Sequence, residues 1–297
     1  MDLSKALHKE GMHARLVPMA RMKDVQRDIL EMRESGQIDP VLYETYFSGY
    51  SYTAPESLPE ARSLIVVAVP SPTLLVRFET EDGIVETIVP PTYSQGKEVD
   101  RRVKEAMQRA MPKARFERVF LPVKILAART GLMRYGRNNN VYMPMLGSFF
   151  RLTSFVSDLE CTAHEWGEMK LLPACKKCTK CREACPTQAI VADRFVIRAE
   201  RCLTYLNEMP SERGFPAWVS PKAHNSIQGC MVCQQVCPYD RAVAGHVEAG
   251  PTFSRMETKI LLETPEQASP ELGEKLASLG MKPSLFPRNL TVLMHRG

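Results

Sequence analysis

No stretch of this chain stays apolar for the roughly 18 residues that a membrane span needs. The opening residues Met1-Asp2-Leu3-Ser4-Lys5 carry charge where an export signal would be apolar. Both absences point to a soluble, cytoplasmic protein with no membrane partner. Walker-type loops, Ser/His/Asp signatures and dinucleotide fingerprints are missing, which removes the common nucleotide and hydrolase chemistries. The six histidines, His8, His13, His164, His224, His246 and His295, are scattered, with no pair at ligand spacing. Only His224, just ahead of a cysteine run, is placed to sit near a metal. Aromatic residues make up 7%, and the two tryptophans, Trp166 and Trp218, read as core residues. Charge of one sign is also scarce. The formal net charge is +5, and Lys97–Arg118 mixes both signs, so a solvated helix face is expected there rather than a nucleic-acid patch. Solenoid repeats are absent.

What the chain does have is alternating helix and strand signals before residue 165. Ala20, Met22, Val25, Ile29, Leu30 and Met32 fall at helical spacing. Ser63-Leu64-Ile65-Val66-Val67-Ala68-Val69-Pro70 reads as a buried strand. Leu74–Thr80 and Val85–Val89 flank Glu81-Asp82-Gly83 as a hairpin. Val99–Met111 and Leu121–Thr130 read as helices, the second stopped by Gly131, and Phe149–Leu159 reads as a strand. An α/β or α+β domain is expected over 1–165, a cysteine-dense module over 166–245, and a tail with one or two helices over 246–297.

Eight of the nine cysteines lie between Cys175 and Cys237. Cys175-x2-Cys178-x2-Cys181-x3-Cys185-Pro186 is the bacterial ferredoxin run: three cysteines wrap one cubane and the fourth serves the other. Cys230-x2-Cys233-x3-Cys237-Pro238 repeats it without one cysteine, and Cys202 can supply the missing ligand. Two [4Fe–4S] clusters are expected, one on Cys175, Cys178, Cys181 and Cys237, the other on Cys202, Cys230, Cys233 and Cys185. The crossing of Cys185 and Cys237 is inferred from the motif. Paired zinc sites would use four-cysteine sets but do not explain the full run and its echo. Cys161 lies outside any motif and reads as an idle thiol.

The cluster runs, Arg201-Cys202-Leu203-Thr204-Tyr205-Leu206, Asn225–Pro238, and Leu126–Asn138 followed by Gly147-Ser148-Phe149-Phe150 together resemble the epoxyqueuosine reductase family and its relatives, the reductive dehalogenases. The resemblance implies a nitroreductase-like α/β sandwich domain followed by the ferredoxin-like double-cluster module and the short helical tail. It also implies a base-off cobalamin in the first domain, fed by the clusters and lined by Gly131, Gly136, Arg137, Asn138, Gly147, Ser148 and Phe149. Small residues in Gly131–Asn139 would let backbone approach a flat macrocycle; taken without the resemblance, a helix cap at Gly131 followed by a turn is the better explanation of them. The family's acidic proton donor has its nearest match in Glu117, and Tyr135 is a second candidate donor. The chain departs from the family in carrying Met133 where glycine is usual, in lacking an Asp-Tyr-His stretch, and in its short tail. The expected partners are an electron donor such as ferredoxin or flavodoxin and a small-molecule or modified-base substrate; charge does not support tRNA. A substrate-free electron carrier that reactivates a corrinoid protein is the alternative.

Overall fold

The computed structural model describes residues 2–295; Met1, and Arg296 and Gly297 of the expected tail, lie outside the described residues. The strands in chain order are β1 (His13–Pro18), β2 (Ser63–Pro70), β3 (Thr73–Glu79), β4 (Ile84–Val89), β5 (Phe116–Arg118), β6 (Arg134–Tyr135), β7 (Val141–Tyr142), β8 (Phe150–Ser157) and β9 (Val247–Phe253). With the helices between them they make a mixed α+β chain. Among the described residues no helix is long and apolar enough to cross a membrane.

Contacts divide the chain into two compact units. The first takes Met1–Pro70, Lys97–Thr179 and Val191–Ala199. Its sheet has the order β1-β2-β8-β5, with every pairing antiparallel. β2 is central and buried along both faces, which is why its run is apolar without alternation. Ile65, Val67 and Val69 of one face pack with Leu3, Leu7, Val99, Val103 and Met107 from the helices Leu3–Lys9 and Gly96–Ala110. The helices Arg21–Glu34 and Val123–Arg129 are locked together by a bidentate ion pair. Arg129 Nε donates to Asp28 Oδ2 at 2.9 Å and its Nη2 to Oδ1, with Asp28 almost fully buried. The mixed charges of Gly96–Ala110 lie partly on a solvated face, where Arg101 bridges Glu98 and Glu105.

The second unit takes Ser71–Gly96, Lys180–Ile190 and Glu200–Gly297. β3 and β4 form the expected hairpin, closed by Thr80 N–H to Gly83 O at 2.7 Å with Gly83 at φ +139°. β3 also pairs in parallel with β9, giving the order β4-β3-β9. Its core joins Leu74, Val76, Phe78 and Val89 to Phe253, Leu261, Leu276, Phe286 and Leu290. The tail therefore contributes a strand and three α-helices, Arg255–Glu263, Pro270–Ser278 and Phe286–Met294, more than the one or two expected.

These contacts do not follow the linear boundaries expected at 165 and 245. The β3–β9 ladder ties 71–96 to the tail. Val191–Ala199 returns to the first unit through Asn139, whose Nδ2 donates to Phe195 O (2.8 Å) and whose Oδ1 accepts from Ile197 N–H (2.6 Å).

Candidate metal centre

Every cysteine is half-buried. Cys175 lies in the 3₁₀ turn Pro173–Lys176, and Cys178 follows it, both in the first unit; Cys181 and Cys237 belong to the second. The other expected set, Cys185, Cys202, Cys230 and Cys233, lies wholly in the second unit. There the short helices Lys180–Ala184 and Val232–Gln235, each just inside a cysteine run, pack on one another. Cys202 caps the helix Leu203–Glu208 from an extended backbone. Two prolines, Pro186 and Pro238, follow the last cysteine of each run, and Pro238 opens a 3₁₀ turn.

Cys185, Cys202 and Cys230 are close enough for their charges to act on one another. Burial pushes the Cys202 thiol up, against amides of Thr204 and Tyr205 and the Thr204 hydroxyl, which favour its thiolate. Burial likewise pushes Cys230 up, to about 11, with Asn225 and the Val232 amide opposing and the Cys202 and Cys185 charges adding to the rise. Around Cys185, Ala189 N–H donates to the sulfur at 3.3 Å and Thr187 Oγ1 lies 3.7 Å away. Asn225 Nδ2 donates to Cys230 Sγ at 3.3 Å. Soft sulfurs ringed by N–H donors fit an iron–sulfur cluster, whose cationic iron offsets the thiolate charge that burial otherwise opposes. Among the described residues, no three His, Cys, Asp or Glu side chains converge closely enough to hold a single metal ion.

Gly229, just before Cys230, has φ +78°, and an added Cβ would lie 2.7 Å from the Tyr93 ring and 2.9 Å from Pro90. Tyr93 in turn hydrogen-bonds Glu208. His224 is buried with its ring 4.3 Å from that of Phe215. Trp218 departs from the core placement expected: it is 49% exposed and lies under Arg201, whose Nε reaches Thr187 O at 3.2 Å. The ring serves as a platform for a cation next to Cys202. Cys161 donates to Ala163 O at 3.6 Å, and burial raises its pKa.

The residues expected around a corrinoid lie in the first unit. β6 and β7 form a small hairpin, with Gly136 N–H closing onto Asn140 O at 2.7 Å. Gly136 is small for a local reason, since a Cβ there would run into the Tyr142 ring and Asn138. Asn138 is buried and donates to the Tyr142 hydroxyl at 2.8 Å. Gly131 takes φ +69° after its helix, and a Cβ would meet the Glu165 carboxylate at 2.8 Å. Both glycines thus face the chain's own side chains. Arg137 Nη2 donates to the carbonyl of Cys175 at 2.6 Å, which fastens this hairpin to the first cysteine run. Gly147 has φ +55°, its carbonyl accepts from Met143 N–H at 2.9 Å, and Ser148 and Phe149 beside it are buried.

Of the expected proton donors, Glu117 on β5 is 3.4 Å from Lys104 Nζ. Tyr135 on β6 is buried edge-on to Phe195, and burial pushes its phenol well above the ordinary range. Sequence reasoning missed Arg118, beside Glu117. It reaches Asp100 Oδ2 at 3.1 Å, while Asp100 Oδ1 accepts from Thr153 at 2.6 Å. Tyr50 and Arg151 feel the Arg118 charge. The charged residues within Lys97–Arg118 look alike in sequence; only the register of β5 against β8 turns Arg118 onto Ser154.

Residues 174–240 match the family model described as a 4Fe-4S double cluster binding domain. The epoxyqueuosine reductase of Cellulophaga algicola is 35% identical over 42% of this chain and 39% of its own length. That of Leadbetterella byssophila is 27% identical over 74% of each chain. The matched stretch is thus about two fifths of the first relative's length and nearly three quarters of the second's. A solved selenomethionine-labelled epoxyqueuosine reductase superimposes with TM-score 0.67, at 19% identity, over 98% of this chain and 80% of that one. Another, solved with an epoxyqueuosine-modified tRNA stem loop, gives TM-score 0.64 at 21% identity over 95% and 76%. The chain is similar to the epoxyqueuosine reductases in sequence, shares the α+β fold of their solved structures, and carries a match to a double [4Fe–4S] binding domain over residues 174–240.

Proposed function

We propose that this chain is a cytoplasmic iron–sulfur reductase of the epoxyqueuosine reductase type. Electrons enter from a low-potential donor such as ferredoxin or flavodoxin and pass through two clusters to a cofactor in a nitroreductase-like first domain. The observation that carries this reading is the match of residues 174–240 to a double-cluster domain, within which N–H donors reach Cys185 and Cys230 in one unit. The cysteine spacing adds Cys202 and Cys233 to that set and assigns Cys175, Cys178, Cys181 and Cys237 to the other.

Base-off cobalamin is the proposed cofactor; when bound it supplies a reducing metal. Arg137, Asn138, Gly147, Ser148 and Phe149 would hold it, whereas Gly131 and Gly136 are already closed by Glu165 and Tyr142. Glu117 and Tyr135 are the candidate proton donors. A modified base is the proposed substrate, by analogy with the relative solved with a modified tRNA stem loop.

The test is anaerobic purification with iron, zinc and cobalt analysis, followed by titration with cobalamin and assay on epoxyqueuosine-containing tRNA. About eight iron per chain is expected for two cubanes; about two zinc would overturn the cluster reading. A spectrum that cobalamin leaves unchanged would overturn the corrinoid part. A second reading, a corrinoid-reactivating electron carrier without its own substrate, draws on the ion pairing of Glu117 with Lys104. Cluster loading with cobalamin-stimulated electron transfer but no turnover of the tRNA would favour it.

A further inference from the structure

The geometry points to Asn225 as the residue that sets the reduction potential of the cluster on Cys185, Cys202, Cys230 and Cys233. This inference rests on the cluster reading above. Asn225 is half-buried and makes three hydrogen bonds. Its Oδ1 accepts from Met231 N–H at 3.2 Å; its Nδ2 donates to Ala223 O at 3.1 Å and to Cys230 Sγ at 3.3 Å. The two backbone partners fix which way round the amide lies. An N–H can only donate, so the oxygen must face Met231; a carbonyl can only accept, so the nitrogen must face Ala223. The second N–H of that nitrogen is thereby held toward the sulfur. Asn225 cannot flip away from Cys230 without losing two bonds to backbone.

An N–H dipole aimed at a ligand sulfur stabilises the more negative form of a cluster. When one electron enters, no bond forms or breaks, and the added charge spreads onto the sulfurs. The donor therefore favours the reduced state and raises the potential. The other donors to this set are the backbone amides of Ala189, Val232, Thr204 and Tyr205 and the hydroxyls of Thr187 and Thr204. Asn225 is a side chain, so this contribution can be removed and measured. It is a positioning residue, acting through Cys230 rather than on a substrate.

The experiment compares the anaerobically reconstituted full-length chain with Asn225→Ala and Asn225→Asp by dithionite redox titration followed by electron paramagnetic resonance, with iron measured on each sample. Asn225→Asp keeps an acceptor for Met231 and places a carboxylate oxygen at the sulfur. In Asn225→Ala, the reduced-to-oxidised ratio of one cluster at fixed potential should fall about tenfold, which for a one-electron couple is about 59 mV. In Asn225→Asp it should fall further. The other cluster and the iron content should not change. Unchanged midpoints with full iron in both variants would overturn the inference, as would an equal shift of both clusters. Loss of about half the iron in both variants would make Asn225 a scaffold residue and overturn it too. Failure of the cluster reading itself shows separately, as a wild-type chain without iron.

Discussion

At the scale of single residues, Gly229 is the position where the cluster binding and the surrounding packing depend on the same atom. Its left-handed backbone disfavours any side chain by about 1–2 kcal/mol, and the Tyr93 ring and Pro90 leave no room for one. Gly229→Ala is expected to displace Cys230 and cost the protein about half its iron. Gly245→Ala, with ordinary φ and open space around it, should keep all of it. Iron per chain on matched anaerobic preparations checks both. The expected cysteine ligands stand out in the sequence because their spacing is itself the chemistry. Asn225 does not, because an asparagine five residues ahead of a cysteine looks like any loop residue until the chain fixes its amide. Gly136 was legible as a small residue but not for its reason: the Tyr142 ring that covers it lies across a hairpin too short to announce itself.

Among the elements, β2 and the β3–β4 hairpin could be read directly, since each carries its own signal: an unbroken apolar run in one, a turn glycine between strands in the other. β9 could not. Val247-Glu248-Ala249-Gly250-Pro251-Thr252-Phe253 is mostly exposed and contains glycine and proline, which mark a strand only at an edge or a bulge. It pairs across an irregularity between Leu75 and Arg77, where a Cβ on Gly250 would lie 2.8 Å from Val76 Cγ1. The helices after it are secured by Glu257. With Ser254 it completes a capping box, and it binds Lys275 Nζ through both oxygens at 2.9 and 3.0 Å, while Lys275 also donates to Thr252 O. Burial would raise the Glu257 pKa, but Lys275 and the Ser254 amide outweigh it, so the carboxyl sits below its usual range. A depressed folded pKa gives stability that is present above the unfolded value and disappears as pH falls through the folded one. Glu257→Gln, which retains the cap, should lower stability by roughly 0.5–1 kcal/mol at pH 7. Below the folded pKa the difference should vanish. Thermal melts of the two proteins at neutral and acidic pH compare them.

For the whole molecule, loading the clusters changes the charge. The polypeptide carries a formal +5. Each oxidised cubane with its four thiolates adds about −2, so the loaded protein is at about +1. Holo-protein should elute earlier than apo-protein from a cation exchanger, and its retention should track bound iron; identical retention would contradict the predicted charge. Overall charge therefore adds little attraction for a polyanion. The division into units could not be read along the chain, because it depends on segments far apart in sequence. The ladder between β3 and β9 is the clearest case. A ribosome delivers the hairpin long before its parallel neighbour, so Leu74, Val76 and Phe78 must wait without their final cover while the whole cysteine module is made. Loop closure of that length is slow and leaves apolar strands exposed in the interval. The hairpin therefore stays without its parallel neighbour until Val247–Phe253 has been made, and the apolar face of β3 is the surface exposed in that interval.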